Sequence, residues 1–298
     1  MNIRAHGPKL YIMKVLPIDR FLNKAVNSEL FYKLSNGWKM SVKHITTLYA
    51  YRQLIWQLAW SEFKMRYKNS VLGYFWSLLE PLLMLTVLYY VFSHIMKMQI
   101  ENYQLFLLLG IIIWNFLSRA TTIGMNCIVG KPGMIKKIYF PRDIFVISAC
   151  LTALLMSVFE SLVFVLFMIY FKVPLSVYIL QAPIILICLF ILSTGLSLAL
   201  AALNVLYRDV QFIWAVFLQA GYFATPILYT LEVFPENLRS IVLLNPFARV
   251  IIAARETIIY ASPMQTGDMI FMGVASIIFL IIGYAIFNKI EPRFAEEI

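Results

Sequence analysis

The strongest constraint on the fold of this chain is a series of long apolar stretches separated by short polar loops. A helix needs about 20 apolar residues to cross roughly 30 Å of hydrocarbon at 1.5 Å per residue. Six stretches meet this requirement, at residues 72–95, 103–129, 144–171, 177–203, 210–229 and 269–288. Hydrophobic residues make up 61% of the chain and charged residues 13%, and the mean hydropathy is +0.80. The sequence therefore predicts an all-α membrane protein with six transmembrane helices.

Two shorter apolar pieces lie between the fifth and sixth stretches. Residues 238–244 and 247–260 are too short to span a bilayer and are interrupted by Pro235, Pro246 and Pro263. They suit a re-entrant helical hairpin, although two interfacial helices remain an alternative. The predicted domains are a leader at 1–44, an amphipathic interfacial helix at 45–70, a six-helix transmembrane domain at 71–288 and a tail at 289–298.

The distribution of basic residues predicts the orientation, because cytoplasmic loops are enriched in Lys and Arg. The first 70 residues are strongly basic, and the loop 130–143 adds four cations, whereas the loop around residues 97–102 carries one lysine and one glutamate. Both termini are therefore predicted to be cytoplasmic in the plasma (inner) membrane, with the hairpin outside. The net charge of +10 is concentrated where anionic lipid headgroups would attract it, so nucleic acid is not an expected partner.

The segment before the first span has helical periodicity. Polar side chains recur at steps of three or four residues, and aromatic side chains recur with the same period on another face. The polar set is Gln53, Gln57, Ser61, Lys64 and Lys68, and the aromatic set is Trp56, Trp60, Phe63 and Tyr67. We expect a helix lying in the membrane interface, either as a simple anchor or as a doorway where Lys64, Arg66 and Lys68 offer cations to an anionic lipid-linked substrate.

Catalytic and metal-binding motifs are not found, and the chain is not expected to be an enzyme. Neither H-E-x-x-H nor G-x-S-x-G occurs, and there is no aspartate-rich metal pair. Residues 124–131 imitate a P-loop, but five residues separate the glycines and Pro132 stands where Ser or Thr is needed. Cys127, Cys150 and Cys188 all fall in apolar runs and are expected to be structural. No cofactor is expected on this chain.

Several fragments resemble the permease subunits of ATP-binding-cassette exporters for O-antigen, capsule and wall teichoic acid. They are residues 63–73 (FKMRYKNSVLG) with Trp76 and Pro81, then Asn204 with Arg208 and Asp209, residues 225–229 (TPILY), and Asn245 with Pro246. The resemblance covers roughly residues 50–290. It implies a homodimer with two copies of a separate ATPase subunit, which binds ATP and Mg, and outward movement of an undecaprenyl-diphosphate type glycan.

A channel for such a glycan would need aromatic side chains, because sugar faces stack on rings with modest energy. Aromatic residues form 15% of the chain. The predicted lining comprises Tyr89, Tyr90, Trp114, Phe116, Trp214, Phe217, Tyr222 and Phe223, although any one of them could instead face lipid.

The inner loop 130–143 contains a short amphipathic segment that could dock in an ATPase groove. Its predicted coupling residues are Lys131, Pro132, Met134, Ile135, Lys136, Lys137, Tyr139 and Arg142. Such a segment would transmit closure of the ATPase subunits to spans two and three. The alternative is a basic loop that only obeys the orientation rule.

Charges inside the hydrocarbon need partners. Glu80 lies about eight residues, or roughly 12 Å, above the start of span one, and Arg119 about ten residues, or roughly 15 Å, above the inner end of span two. Their similar depth predicts an interhelical ion pair, unless Glu80 lines the channel. Glu160, near the middle of span three, has no partner predicted by depth.

Other functions remain open at this point. A drug or lipid exporter could use the same transmembrane architecture. A stand-alone secondary carrier would show an inverted repeat or several carboxylates at the midplane, and neither is found in the sequence.

Overall fold

A computed structural model describes residues 42–68, 70–97, 100–137 and 140–297 of the chain. All regular secondary structure in the described residues is helical, and these residues contain no strand. Most of the predicted leader, residues 1–41, lies outside the described residues. The all-α prediction is therefore confirmed for the part of the chain that the structure describes.

Two helices precede the first span, α1 (Val42–Ala50) and α2 (Arg52–Tyr67), and they meet at Tyr51. The buried side chains of α2 are Ile55, Ala59 and Phe63, spaced four residues apart. They form the face that packs on the third membrane-length helix, where Phe63 stacks on Phe159. The aromatic side chains Trp56, Trp60, Phe63 and Tyr67 contact one another in succession along α2, so they share a face as predicted. Of these four, Phe63 is buried against the protein, whereas both tryptophans are exposed. Aromatic spacing could not reveal that the smaller residues face the protein.

Within the described residues, five helical segments are long and apolar enough to cross a membrane. The first contains α3 (Trp76–Tyr89) between a 3-10 turn and a π-helical turn. The segments are Gly73–Ile95, Tyr103–Asn126, Asp143–Tyr170, Val177–Leu206 and Thr266–Arg293. Their regular helices are α4 (Tyr103–Asn126), α6 (Asp143–Tyr170), α7 (Ala182–Leu206) and α11 (Thr266–Ile290), and the short α5 (Pro132–Lys137) lies in the inner loop.

The predicted fifth span is a shorter helix than expected. Helix α8 (Val210–Ala224) has 15 residues, or about 22 Å of rise, and Thr225 after it is extended. Pro226 explains this end, because a proline disfavours helical geometry in the residue before it. Six membrane-length helices are therefore not confirmed among the described residues.

The two short pieces after α8 are helical. They are α9 (Glu236–Leu244) and α10 (Pro246–Ile258), separated by Asn245. The Asn245 side chain caps α10 by accepting a hydrogen bond from the backbone N–H of Phe247 at 3.0 Å. A final turn, α12 (Phe294–Glu297), follows α11 after the 3-10 turn Glu291–Arg293.

Side-chain contacts define two ends of the bundle. At one end, Asn204 donates to the carbonyl of Met125 at 3.1 Å, and the Tyr284 hydroxyl donates to Asp143 Oδ2 at 3.1 Å. At the other end, the Tyr103 hydroxyl donates to the carbonyl of Leu228 at 2.7 Å. The chain between Asn204 and Leu228, which contains α8, therefore runs from the first end to the second.

Candidate functional site

A concave polar region of the described structure lies where α2 meets the first span. Helix α2 ends at Tyr67, and Lys68 after it is extended. Gly73 then adopts a φ of 50°, a left-handed conformation that glycine tolerates without strain. This turn folds the end of α2 back beside the beginning of α3.

A cavity of about 700 Å³ fills the space between these elements. Its wall combines polar side chains near the turn with apolar side chains further along α3. It is lined by Arg66, Tyr67, Ser70, Trp76, Glu80, Leu83, Met84, Val87 and Asn115. Residues 76, 80, 83, 84 and 87 share one face of a helix by their spacing. The cavity therefore changes from polar to apolar along the first span.

The polar end of the cavity has two groups suited to hydrogen bonding or stacking with a ligand. Burial raises the pKa of the Tyr67 hydroxyl, so it stays protonated and keeps its ability to donate. Trp76 is 44% exposed and presents its ring to the same space. An indole ring offers a large apolar face and one polar N–H group, so it can contact either a sugar face or an apolar chain.

A charge cluster joins the first three spans beside the cavity. Arg119 Nη2 on α4 lies 2.9 Å from Glu80 Oε2 on α3, so the structure joins the two residues that equal depth predicts to pair. Arg119 Nη1 lies 2.5 Å from Glu160 Oε1 on α6. Asn115 Nδ2, one turn before Arg119, lies 3.5 Å from the same carboxylate oxygen. The expectation that Glu160 lacks a partner is wrong, because counting depth does not show which helices are neighbours.

A second cavity of about 320 Å³ lies on the other side of Arg66. Its lining is Glu62, Met65, Arg66, Ile123, Lys131 and Met156. Lys131 Nζ lies 2.7 Å from Glu62 Oε2, and this ion pair links the inner loop to α2. Arg66 is therefore shared by two cavities at the junction of α2 with the bundle.

The three cations predicted for a lipid diphosphate do not line one site. Arg66 lines both cavities, whereas Lys64 and Lys68 are exposed and line neither. The Lys64 ammonium instead lies 5.3 Å from the centre of the Trp60 ring. Helical spacing explains this difference, because residues 64, 66 and 68 cannot all point the same way from one helix.

Several predicted coupling residues contact the protein itself. Ile135 is buried and Met134 half-buried, whereas Pro132 is exposed. Lys131 pairs with Glu62, and Arg142 Nη1 donates to the carbonyl of Glu291 at 2.6 Å. The side chains of Lys136 and Lys137, and the whole of Tyr139, lie outside the described residues.

The predicted aromatic lining does not form one continuous surface. Phe116 is 1% exposed and packs near Phe190, and Trp114 is buried against Tyr222, with 6.0 Å between ring centres. These two lining assignments are corrected, because a buried ring is not available to a passing sugar. Tyr90, Phe217 and Phe223 are exposed, while Tyr89, Trp214 and Tyr222 are half-buried. Trp214 also donates to Thr121 Oγ1 at 3.0 Å.

Several site residues were missed by sequence reasoning. Tyr67 is considered only as an interfacial aromatic, Ser70 and Trp76 only as parts of a family fragment, and Asn115 has no assigned role. The spacing of Asn115 and Arg119, four residues apart on an apolar helix, was the available signal for a polar face on span two. In the described residues no group of His, Cys, Asp and Glu side chains could hold a metal ion.

Together these features define a polytopic helical membrane protein with a side cavity suited to an amphiphilic ligand. The chain belongs to the ABC-2 type transporter family, which matches residues 53–259. The resemblance drawn from the sequence fragments is confirmed by this match.

Named relatives are similar along most of their length. The O-antigen export system permease protein RfbA of Klebsiella pneumoniae is 32% identical over 237 residues, covering 79% of this chain and 91% of that protein. A protein of the same name from Myxococcus xanthus is 30% identical over 261 residues, covering 86% of this chain and 100% of that protein. The polysialic acid transport protein KpsM of Escherichia coli is 25% identical over 236 residues, covering 77% of this chain and 90% of that protein.

Proposed function

We propose that this chain is the transmembrane permease of an exporter that moves a lipid-linked polysaccharide outward, most simply an O-antigen on undecaprenyl diphosphate. The observation that carries the proposal is the similarity to RfbA over nearly the full length of those proteins. The polar-to-apolar cavity supports a lipid-linked substrate, because it offers a cation and hydrogen-bonding groups next to an apolar helix face. ATP is hydrolysed by a separate subunit.

The proposed topology has six crossings, with both termini in the cytoplasm of the plasma (inner) membrane. Helix α8 and the extended residues after it make the fifth crossing together. This is supported by the contacts that place Asn204 and Leu228 at opposite ends of the bundle. The α9–α10 pair then forms the outer hairpin, where its broken backbone is covered by protein.

The proposed assembly contains two copies of this chain and two ATPase subunits. The α5 segment is the ATPase contact, and the Lys131–Glu62 ion pair supports a mechanical link from that contact to α2. The exposed rings Tyr90, Phe217 and Phe223 remain the proposed lining of a path between the two permeases.

The proposal is tested by reconstituting the chain with its ATPase subunit in liposomes. We expect an undecaprenyl-diphosphate glycan to stimulate ATP hydrolysis and to become accessible to a glycosidase on the opposite face. A matched liposome with an ATPase variant that binds but does not hydrolyse ATP is the control. ATP-dependent export of a small drug or phospholipid, without any effect of the glycan, would contradict the proposal.

A further inference from the structure

The Arg119 guanidinium is shared between two carboxylates that are held very differently. The side chain of Glu160 is 0% exposed, whereas that of Glu80 is 62% exposed and forms part of the cavity wall. A buried carboxylate that loses its cation becomes an uncompensated charge, while an exposed carboxylate can exchange its partner for water at little cost. The ion pair of Arg119 with Glu160 is therefore expected to persist, and its ion pair with Glu80 can break and be replaced by another ligand.

The packing of the helices points to the same asymmetry. In the most apolar stretch of the first span 17% of the residues are buried, against 72% in the second span and 44% in the third. Glu80 therefore stands on the least enclosed of these helices, and Arg119 stands on the most enclosed. A small outward displacement of α3 separates Glu80 from Arg119 without moving Glu160.

The charges around the cavity balance when Glu80 is in place. Arg66 and Arg119 supply two positive charges, and Glu80 and Glu160 supply two negative charges. Arg119 is not part of the cavity wall, but its Nη2 lies 2.9 Å from Glu80, which is. When Glu80 moves away, this nitrogen opens toward the space that Arg66 and Asn115 line. Guanidinium groups bind phosphate oxygens through directed pairs of N–H bonds, so this space then suits a phosphate or diphosphate.

We propose that Arg119 is a concealed phosphate-binding residue, which Glu80 covers in this conformation and releases to a diphosphate lipid. Arg66 holds the same headgroup from the other wall, and the isoprenoid chain lies along Leu83, Met84 and Val87. Glu80 competes with the diphosphate for one cation, so binding of the headgroup favours displacement of the first span. The identity of the lipid as an isoprenoid diphosphate rests on the proposed function.

The test measures binding of farnesyl diphosphate to the full chain in nanodiscs of zwitterionic lipid by titration calorimetry. Glu80→Gln removes the competing carboxylate and is expected to tighten binding about three- to tenfold. Asp268→Asn is the matched control, because it removes one carboxylate from an ion pair with Arg249 that lies away from the cavity. The affinity of this variant for farnesyl diphosphate is expected to equal that of the parent chain.

Removal of Arg119 is tested in a form that leaves no unpaired buried charge. The double variant Arg119→Gln/Glu160→Gln is expected to weaken binding by at least about tenfold while keeping the helical content of the parent chain. Unchanged affinity in this folded double variant, or weaker binding by Glu80→Gln, would overturn the proposal.

Two further ligands test the phosphate-binding part and the apolar part of the site separately. Farnesol lacks the diphosphate and inorganic pyrophosphate lacks the chain, and both are expected to bind much more weakly than farnesyl diphosphate. Equal binding of farnesol would overturn the phosphate site, and equal binding of pyrophosphate would overturn the amphiphile assignment. These titrations need neither glycan nor ATPase, so their failure is distinguishable from failure of the export assay.

Discussion

At the scale of single residues, Arg255 on α10 shows how the bundle satisfies a buried cation without a carboxylate. Its side chain donates to the carbonyls of Pro226 at 2.5 Å, Ile227 at 2.8 Å and Phe106 at 3.1 Å, and the residue is 3% exposed. The carbonyls of Pro226 and Ile227 are otherwise left open where α8 stops before Pro226, and that of Phe106 belongs to the first turn of α4. Arg255 thereby fastens α10 to the end of α8 and to α4.

Arg255→Lys is expected to destabilise the protein by roughly 3 kcal/mol, because one ammonium cannot reach three carbonyls in different directions. Thermal unfolding in detergent measures the loss. Arg239→Lys is the matched control, since Arg239 also donates to two backbone carbonyls but lies partly exposed. Equal stability losses in the two variants would contradict a special role for the buried residue.

At the scale of elements, α7 and α11 approach each other at a pair of glycines. A Cβ on Gly195 would lie 2.5 Å from the backbone N of Leu280, and one on Gly283 would overlap the carbonyl oxygen of Gly195. Small residues allow membrane helices to pack this closely. Ser276 on α11 adds a hydrogen bond to the carbonyl of Cys188 on α7 at 2.8 Å. This pair is therefore a rigid part of the bundle.

Gly195→Ala is expected to lower the free energy of unfolding by roughly 3 kcal/mol or more. The added methyl group meets backbone atoms that cannot move without separating the two helices. The midpoint of unfolding in detergent is the measurement. Gly273→Ala on α11 is the control, since a Cβ there meets nothing within 4 Å and alanine has a higher helix propensity than glycine. A fully stable Gly195→Ala variant would show that the close approach is absent in the membrane.

At the scale of the whole molecule, contacts between distant parts of the chain relate the inner loop to α2 and to the tail. Lys131 bonds Glu62, and Arg142 bonds the carbonyl of Glu291. The loop between α4 and α6 therefore touches both the helix before the first span and the end of the last span. A force on this loop would reach both elements, which fits the proposed ATPase contact.

Cysteine labelling of intact cells decides how many times the chain crosses the membrane. With α8 as a crossing, a cysteine replacing exposed Glu236 is expected to react with an impermeant maleimide, and one replacing Glu296 is expected to react only after permeabilisation. A cysteine replacing Lys172, between α6 and α7, should react under both conditions and serves as the control. The reverse pattern at 236 and 296 would show five crossings.

The sequence by itself determined the helices, because apolar length and proline position act locally. The five membrane-length segments and the two helices flanking Asn245 fall near the predicted residues, whereas the break before Pro226 falls inside the predicted fifth span. Depth along a span also matched Glu80 with Arg119. These features depend on the rise of a helix and on nearby residues alone.

Only the tertiary structure decided which helices are neighbours and how each is rotated. The pairing of Arg119 with Glu160, the docking of α2 through Ile55 and Ala59, and the burial of Phe116 all follow from lateral packing. In a chain that is apolar on most sides, periodicity does not distinguish a face toward lipid from a face toward protein. The cavity around Arg66 and Glu80 arises from that packing, and sequence spacing alone could not define it.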